Sequence, residues 1–396
     1  MAVSLIYFNA VAYDKRQRRR ARPARRIGST MDFDETEDQR DLREMVREFL
    51  DRRWSESEVR RQMATERGYS DAIWKQVVDL GLPGVLVPEE HGGLGLGIVE
   101  AGIVLEEFGR TLFTTPFLAS SVGATSAVLA AGDMERVEAL ASGAHLATLA
   151  TVEADGDWRA SSVETTATAN RDEVRLTGEK HFVVDGLAAD EFLVTARDDS
   201  GVSLYAVSSS ASGVTVSPSE TLDQTRKLTR VTLRDVPGER VGSAGDGARI
   251  VNESLAFCAL ALAAEQIGAA QRCLGAAVGY ANVREQFGQL IAEFQAVQHR
   301  CADILVEIEN ARSVLLYALG ATESRIEGWQ DAISVAKVAC SDALNYAAAE
   351  NLHLHGGNGF TWEYPEHLYF RRARSADLLY GSPAFHRALL AESLGL

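Results

Sequence analysis

The stretch His353-Leu354-His355-Gly356-Gly357-Asn358-Gly359-Phe360-Thr361-Trp362-Glu363, followed by Arg371-Arg372-Ala373-Arg374, decides how this chain is read. A helical pattern runs into it and ends in glycines. Such a run lets backbone approach a bulky ligand, and its N–H groups can meet phosphate or sugar oxygens. A plain helix C-cap uses glycine too. A second block lies upstream: Arg284-Glu285-Gln286-Phe287-Gly288, then Phe294-Gln295 and Gln298-His299. An arginine there suits phosphate, because guanidinium meets its oxygens in a bidentate grip.

Around these blocks, residues 249–284, 290–320, 329–353 and 382–394 carry long helical patterns, which pack as an antiparallel bundle. Residues 146–241 alternate instead and are rich in Thr, Val and Ser. Val174-Arg175-Leu176-Thr177, Phe192-Leu193-Val194-Thr195, Val202-Ser203-Leu204-Tyr205-Ala206-Val207 and Arg230-Val231-Thr232-Leu233 read as short strands. Residues 35–145 are helical again. Leu42, Met45, Val46, Phe49 and Leu50 share one face, and Ser70 is placed to cap a helix through Ile73, Trp74, Val77 and Val78. Further helices are expected over 99–110 and 120–131. The fold class expected is mainly α with a central β domain. The domains expected are a basic leader (1–30), an N-terminal helical domain (31–145), a middle β barrel or sandwich (146–243) and a C-terminal helical bundle (244–396).

Bulk properties narrow the classes. The 396 residues suit two or three packed units, and 46% apolar with 24% charged residues is ordinary for a globular body. No run of 18 apolar residues occurs, so no membrane-spanning helix is expected. The net charge of −16 argues against nucleic-acid binding. Charge is uneven: residues 1–30 hold eight Lys or Arg and one acid, Asp14, which leaves −23 on the rest. Such a block has little to bury and is expected to be a disordered extension. Its apolar residues precede the basic ones, the wrong order for a signal peptide. Cys258, Cys273, Cys301 and Cys340 have no metal-ligand or CxxC spacing and read as reduced cysteines of a cytoplasmic protein. Glu89-Glu90-His91-Gly92-Gly93-Leu94-Gly95 lacks the Gly-Lys-Ser/Thr of a triphosphate loop.

Taken together, the two C-terminal blocks and the order helical–β–helical resemble the acyl-CoA dehydrogenases, and the resemblance covers nearly everything after Met31. It implies FAD as cofactor, in the crevice between the β domain and the bundle, an acyl-CoA substrate, a tetramer and an electron-accepting flavoprotein. It implies that Arg284 neutralises pyrophosphate and Phe287 packs near adenine, across a subunit boundary. Gly356 and Gly357 belong to the same site. His353 stands where many members carry glutamine. At the flavin ring, Lys180-His181-Phe182-Val183-Val184 resembles the family's Lys-x-Trp-Ile-Thr strand, with Phe182 for tryptophan and Val184 for the threonine that hydrogen-bonds the flavin. Phe182 is equally readable as a core strand residue. Glu153-Ala154-Asp155-Gly156-Asp157 is only loosely similar to the turn before it.

The reaction needs a carboxylate to remove an α-proton. The two places where the family keeps it hold Tyr380, in Leu379-Tyr380-Gly381-Ser382, and Cys258. A tyrosine of pKa about 10 and a cysteine of about 8.5 are poor bases at neutral pH. Glu253 and Glu265 share the helix with Cys258 and are weighed as displaced bases. Asp223 and Arg226 read as a local ion pair holding a loop; alternatively Arg226 contacts the nucleotide end of the thioester. Three readings stay open. One is a base-lacking subunit of a hetero-oligomer with a second homologous chain, as in bacterial steroid-side-chain acyl-CoA dehydrogenases. The second is a self-sufficient homotetramer with a displaced base. The third is a non-dehydrogenase flavin or binding protein on the same fold.

Overall fold

Capping chemistry starts the first helix where the apolar period begins. The computed structural model describes residues 34–170 and 173–396, and the leader expected over 1–30 lies outside the described residues. In α1 (Glu37–Arg53) the Thr36 hydroxyl accepts from the Gln39 N–H, and the Gln39 side chain accepts from the Thr36 N–H. Glu37 and Asp38 at one end and Arg52 and Arg53 at the other complement the helix dipole. After α2 (Glu56–Met63), Ser70 caps α3 (Asp71–Asp79), as the sequence predicts. The largely buried α4 (Ile98–Thr111) follows. The helix expected from residue 120 begins earlier. A π-helix (Phe117–Ala124) runs into α5 (Thr125–Ala131), and α6 (Met134–Ala141) ends this helical part.

Seven strands follow: β1 (Ala147–Ala150), β2 (Thr166–Asn170), β3 (Glu173–Val184), β4 (Glu191–Asp198), β5 (Gly201–Ser208), β6 (Val214–Pro218) and β7 (Leu228–Val241). β4 pairs with β5, β5 with β7, β7 with β3 and β3 with β2, while Thr166 of β2 meets Arg197 of β4. The sheet therefore closes into a barrel, with β1 added alongside β4 and β6 alongside β7. Alternate residues point inward, so Leu176, Phe192, Val194, Tyr205, Val207, Val231 and Leu233 form one buried core.

The bundle is built around α7 (Gly247–Ala281), with α8 (Gln295–Glu323), α9 (Trp329–His355), α10 (Glu366–Leu378) and α11 (Pro383–Ser393). By length and composition α7 could cross a membrane, but 72% of its apolar window is buried in the protein, as a core helix should be. It ends at Ala281, short of the residue 284 expected, and α8 starts at Gln295 rather than 290. Between them lies a small hairpin of β8 (Glu285–Gln286) and β9 (Gln289–Leu290). α10 has no clear apolar period, because Glu366, His367 and Arg372 are among the residues it buries.

α4 and α7 cross at bare backbone. A Cβ on Gly109 would lie 1.9 Å from the Glu265 carbonyl oxygen, and one on Gly268 would lie 1.8 Å from that of Glu106. Glycine is required at both places because no side chain fits, and the close approach fixes where Glu265 enters the interior.

Candidate active site

The site begins at a fault in β3. Lys180 pairs with Val231 but Val183 pairs with Thr229, so two β3 residues oppose one on β7. Phe182 is the odd residue. Its φ is 53° and it is 41% exposed. A bulge re-aims a side chain out of the sheet. This removes the reading of Phe182 as a core strand residue. Lys180 takes the inward position, fully buried, with its Nζ donating to Glu153 Oε1 at 2.7 Å and Thr195 Oγ1 at 3.1 Å. Burial lowers the Lys180 pKa to about 8 against the pull of Glu153. Burial would raise Glu153, but Lys180 and Thr165 outweigh it and hold the carboxyl below its usual range.

Phe182, Val184 and Tyr380 line one cleft, together with Ala119, Trp158 and Leu255. The Trp158 ring meets Tyr380 edge-on at 5.3 Å. Val184 offers only methyl groups, and its carbonyl already accepts from the Thr148 hydroxyl at 2.7 Å.

Tyr380 sits on a left-handed backbone, with φ 57°, and Gly381 follows at φ 100°. A Cβ at Gly381 would meet the Phe385 ring at 2.5 Å and His386 Nε2 at 2.9 Å. His386 fixes this turn. Its Nε2 lies 3.1 Å from the Tyr380 carbonyl and its Nδ1 3.1 Å from the Ser334 hydroxyl. A carbonyl only accepts, so Nε2 carries the proton and Nδ1 accepts from Ser334. Burial, helped by the charge of Lys337, lowers the His386 pKa from 6.5 to about 4. The unfolded chain takes up this proton near pH 6.5, whereas the fold resists it until about pH 4. Stability due to His386 is thus present above pH 6.5 and lost as the pH falls through that window, by on the order of 3 kcal/mol. His386→Gln should flatten the wild-type stability profile between pH 6.5 and 4 in urea titrations. An unchanged slope would reject this role.

No carboxylate is free at either base position. Burial raises the Tyr380 hydroxyl well above its usual range. The neighbouring Cys258 is fully buried and its thiol is pushed up to about 12, mainly by that burial. Glu265 is locked between Arg226 Nη2 at 2.5 Å and Arg372 Nη1 at 2.6 Å. Burial would raise its pKa, but the two guanidiniums win and lower it. A carboxylate so held is a poor proton acceptor, which rules against Glu265 as a displaced base. Glu253 is paired with Arg325 at 2.6 Å and Arg249 at 3.6 Å.

The expected Asp223–Arg226 pair is not made. Asp223 accepts instead from Arg372 Nε at 2.6 Å, and Arg226 turns to Glu265. Arg372 Nη2 also donates to Thr225 Oγ1 at 2.5 Å. The chain of charges Asp223–Arg372–Glu265–Arg226 thus ties the barrel loop to α7 and α10.

The other residues singled out in the sequence lie apart from this cleft. Phe287 is 93% exposed, with its ring edge-on to Phe294 at 6.3 Å. Arg284 is exposed, and its guanidinium has no partner among the described residues. Added Cβ atoms on Gly288, Gly356 or Gly357 would meet nothing within 4 Å. His353 is exposed, 3.4 Å from Glu350. The glycine loop packs on the end of α7: the Tyr280 ring stacks on His355 at 4.1 Å and its hydroxyl lies 3.5 Å from Asn358 Nδ2. That contact is one turn before Arg284, so both blocks occupy one end of the bundle. Trp158, Lys180 and His386 were missed as site residues. Of these only Lys180 left a signal in the sequence, as the first residue of the Lys180–Val184 stretch that carries the resemblance. Among the described residues no cluster of His, Cys, Asp or Glu is placed to hold a metal.

Comparison with known proteins agrees with this architecture. The family model of the acyl-CoA dehydrogenase N-terminal domain matches residues 36–141, and that of the C-terminal domain matches 245–395. The acyl-CoA dehydrogenase IpdE2 of Mycolicibacterium smegmatis is 32% identical over 343 residues, 86% of this chain and 94% of that protein. The ChsE4–ChsE5 complex of Mycobacterium tuberculosis superposes with a TM-score of 0.85 at 27% identity, covering 92% of this chain and 99% of the other. A variant of the Tcur3481–Tcur3483 steroid ACAD gives 0.83 at 29%, covering 91% and 98%.

Proposed function

Because the chain belongs to the acyl-CoA dehydrogenase family, whose members are flavoprotein oxidoreductases acting on CH–CH bonds, we propose that it serves α,β-dehydrogenation of an acyl-CoA thioester as the base-lacking subunit of a hetero-oligomer. The observation that carries this reading is the pair Tyr380 and Cys258 at the two base positions, with Glu265 and Glu253 both held in ion pairs. Two of the similar structures are named as pairs of different chains, one of them a steroid ACAD. That supports a second homologous chain as the partner here and a steroid-derived acyl group as the first substrate to try.

The residues present fit the nucleotide half of FAD better than its ring. Arg284 offers an exposed cation with no partner among the described residues, Phe287 an exposed ring, and Gly356 and Gly357 open backbone beside His353. These would hold pyrophosphate and adenosine at a subunit boundary. Phe182 would lie beside the ring, but Val184 cannot donate to it. When bound, FAD supplies the hydride acceptor. This chain's own residues bind and orient, and the proton acceptor is left to the partner. An electron-accepting flavoprotein would then reoxidise the complex. The cytoplasm suits the four cysteines, none of which is in a disulfide.

The test is turnover of acyl-CoA thioesters with a dye acceptor, by the chain alone and after co-expression with a homologous chain that carries a base glutamate. Activity of the pair and none of the chain alone is expected. Turnover by the chain alone would overturn the reading in favour of a self-sufficient homotetramer. Arg284→Ala should lower FAD affinity of the complex roughly tenfold or more, since a hydrogen bond to a charged group contributes about 1.5–3 kcal/mol. Unchanged flavin content after dialysis would reject that role for Arg284.

A further inference from the structure

The chain between β1 and β2 is clamped at its base and only lightly fastened at its tip. At the base, the Glu153 carboxylate accepts from the Glu164 N–H at 2.9 Å and the Thr165 N–H at 2.8 Å, and Lys180 holds that carboxylate in place. Residues 154–163 therefore leave and rejoin the barrel at nearly one point, as an Ω-loop does. Arg197 fixes the returning leg, through Nη2 to the Ser161 carbonyl at 3.0 Å and Nε to the Val163 carbonyl at 3.1 Å. The outgoing leg makes backbone bonds only locally: Gly156 N–H to the Glu153 carbonyl, Asp157 N–H to Asp155 and Arg159 N–H to Asp157. Gly156 turns that leg at φ 72°.

The tip lies across the cleft of Phe182, Val184 and Tyr380. Trp158 lines the cleft with its ring edge-on to Tyr380 at 5.3 Å, and the free space left there is about that of one water. Arg159 fastens the tip to α11. Its Nη2 donates to Glu392 Oε1 at 3.1 Å, and its guanidinium lies 5.3 Å from the centre of the Phe385 ring. Among the described residues, this is the one hydrogen bond that ties 154–159 to another part of the chain. Its two side chains are 39% and 62% exposed. An exposed ion pair and an exposed cation–π contact are both weak and easily broken.

We infer that residues 154–159 are a lid over this chain's own cleft, with Trp158 as its plug and the Arg159–Glu392 pair as its latch, and that the lid lifts about Gly156 to open a path to Phe182 and Tyr380. That a flavin ring or an acyl thioester uses this path rests on the function proposed above. The movement itself is independent of turnover.

The experiment labels a thiol placed under the lid. Leu255→Cys puts one in the wall of the same cleft, and its uptake of N-ethylmaleimide is followed by peptide mass spectrometry on the full chain. Half-buried Cys301 is the reference, and buried Cys258, Cys273 and Cys340 report unfolding. Adding Arg159→Ala should speed labelling at position 255 about three- to tenfold, the size of the ion pair and the cation–π contact together. Cys301 should label as before and the buried three should stay unlabelled. Raising NaCl from about 50 mM to about 1 M should speed labelling where Arg159 is present and not where it is replaced, because salt screens the latch. Trp158→Ala should label fastest of all. A second measurement needs no new thiol: acrylamide quenching of Trp158, taken as the difference between the native chain and Trp158→Phe, should rise by a similar factor in Arg159→Ala. Equal labelling with and without Arg159, equal quenching, or labelling of the buried cysteines as fast as position 255 would each overturn the lid.

Discussion

Gly268→Ala should destabilise the protein by about 3 kcal/mol or more, the upper end of what overpacking does. The added methyl group would sit 1.8 Å from the Glu106 carbonyl oxygen. Backbone cannot rotate away as a side chain can, so α4 and α7 must separate. Separation would also pull Glu265 off its arginines, since Glu265 is the residue whose carbonyl faces Gly109 in the same crossing. The control is Gly275→Ala, on the same helix with nothing within 4 Å of the new Cβ. There the helix propensity of alanine should stabilise by about 0.5–1 kcal/mol. Urea unfolding followed by circular dichroism separates the two. A loss under about 1 kcal/mol for Gly268→Ala would mean that the crossing relaxes more easily than its geometry implies.

Arg372→Met should lose about 3–5 kcal/mol, the usual result of removing one partner from a buried ion pair. Arg372 is 1% exposed and serves Asp223, Glu265 and Thr225 together. Without it two buried carboxylates keep only Arg226 between them. Burial would raise both carboxyls; Arg372 is the foremost charge holding Asp223 down and, after Arg226, the next one holding Glu265 down, so the variant should also lose its remaining stability earlier on acidification than the wild type. The same denaturation assay, repeated at pH 7 and pH 5, reads both effects. A loss of less than about 1 kcal/mol at either pH would show that the tetrad is replaceable by packing.

The helical and strand-rich parts were legible because each kept its own apolar period, as in the face of Val46 and Leu50 or the inward residues of β5. The glycine-ended α9 and the Arg284 block were legible as motifs. What stayed hidden has a common cause: side chains defined by partners remote in sequence. Arg372 looks like any surface arginine until Asp223 and Glu265 arrive. Phe182 looks like a strand residue until the register slips beside it. His386 shows its role only through the backbone carbonyl of Tyr380. Asp223 and Arg226 misled because nearness in sequence suggested a pair that the fold does not make. That Tyr380 and Cys258 stand where the resemblance expects a carboxylate, by contrast, is read directly from the sequence, and the base-lacking reading built on it is the proposal made above.

The tetrad also constrains the order in which the chain can be built. Asp223 and Arg372 are 149 residues apart. At about 5–20 residues per second of synthesis, roughly 7–30 s pass between the two. During that interval the barrel loop has emerged without its principal counter-ion. Asp223 must stay hydrated until α10 is made, so the loop docks onto α7 late. A nascent chain stopped before residue 372 should therefore carry a formed barrel with a protease-sensitive 219–227 segment, protected only when the last tenth of the protein has left the ribosome.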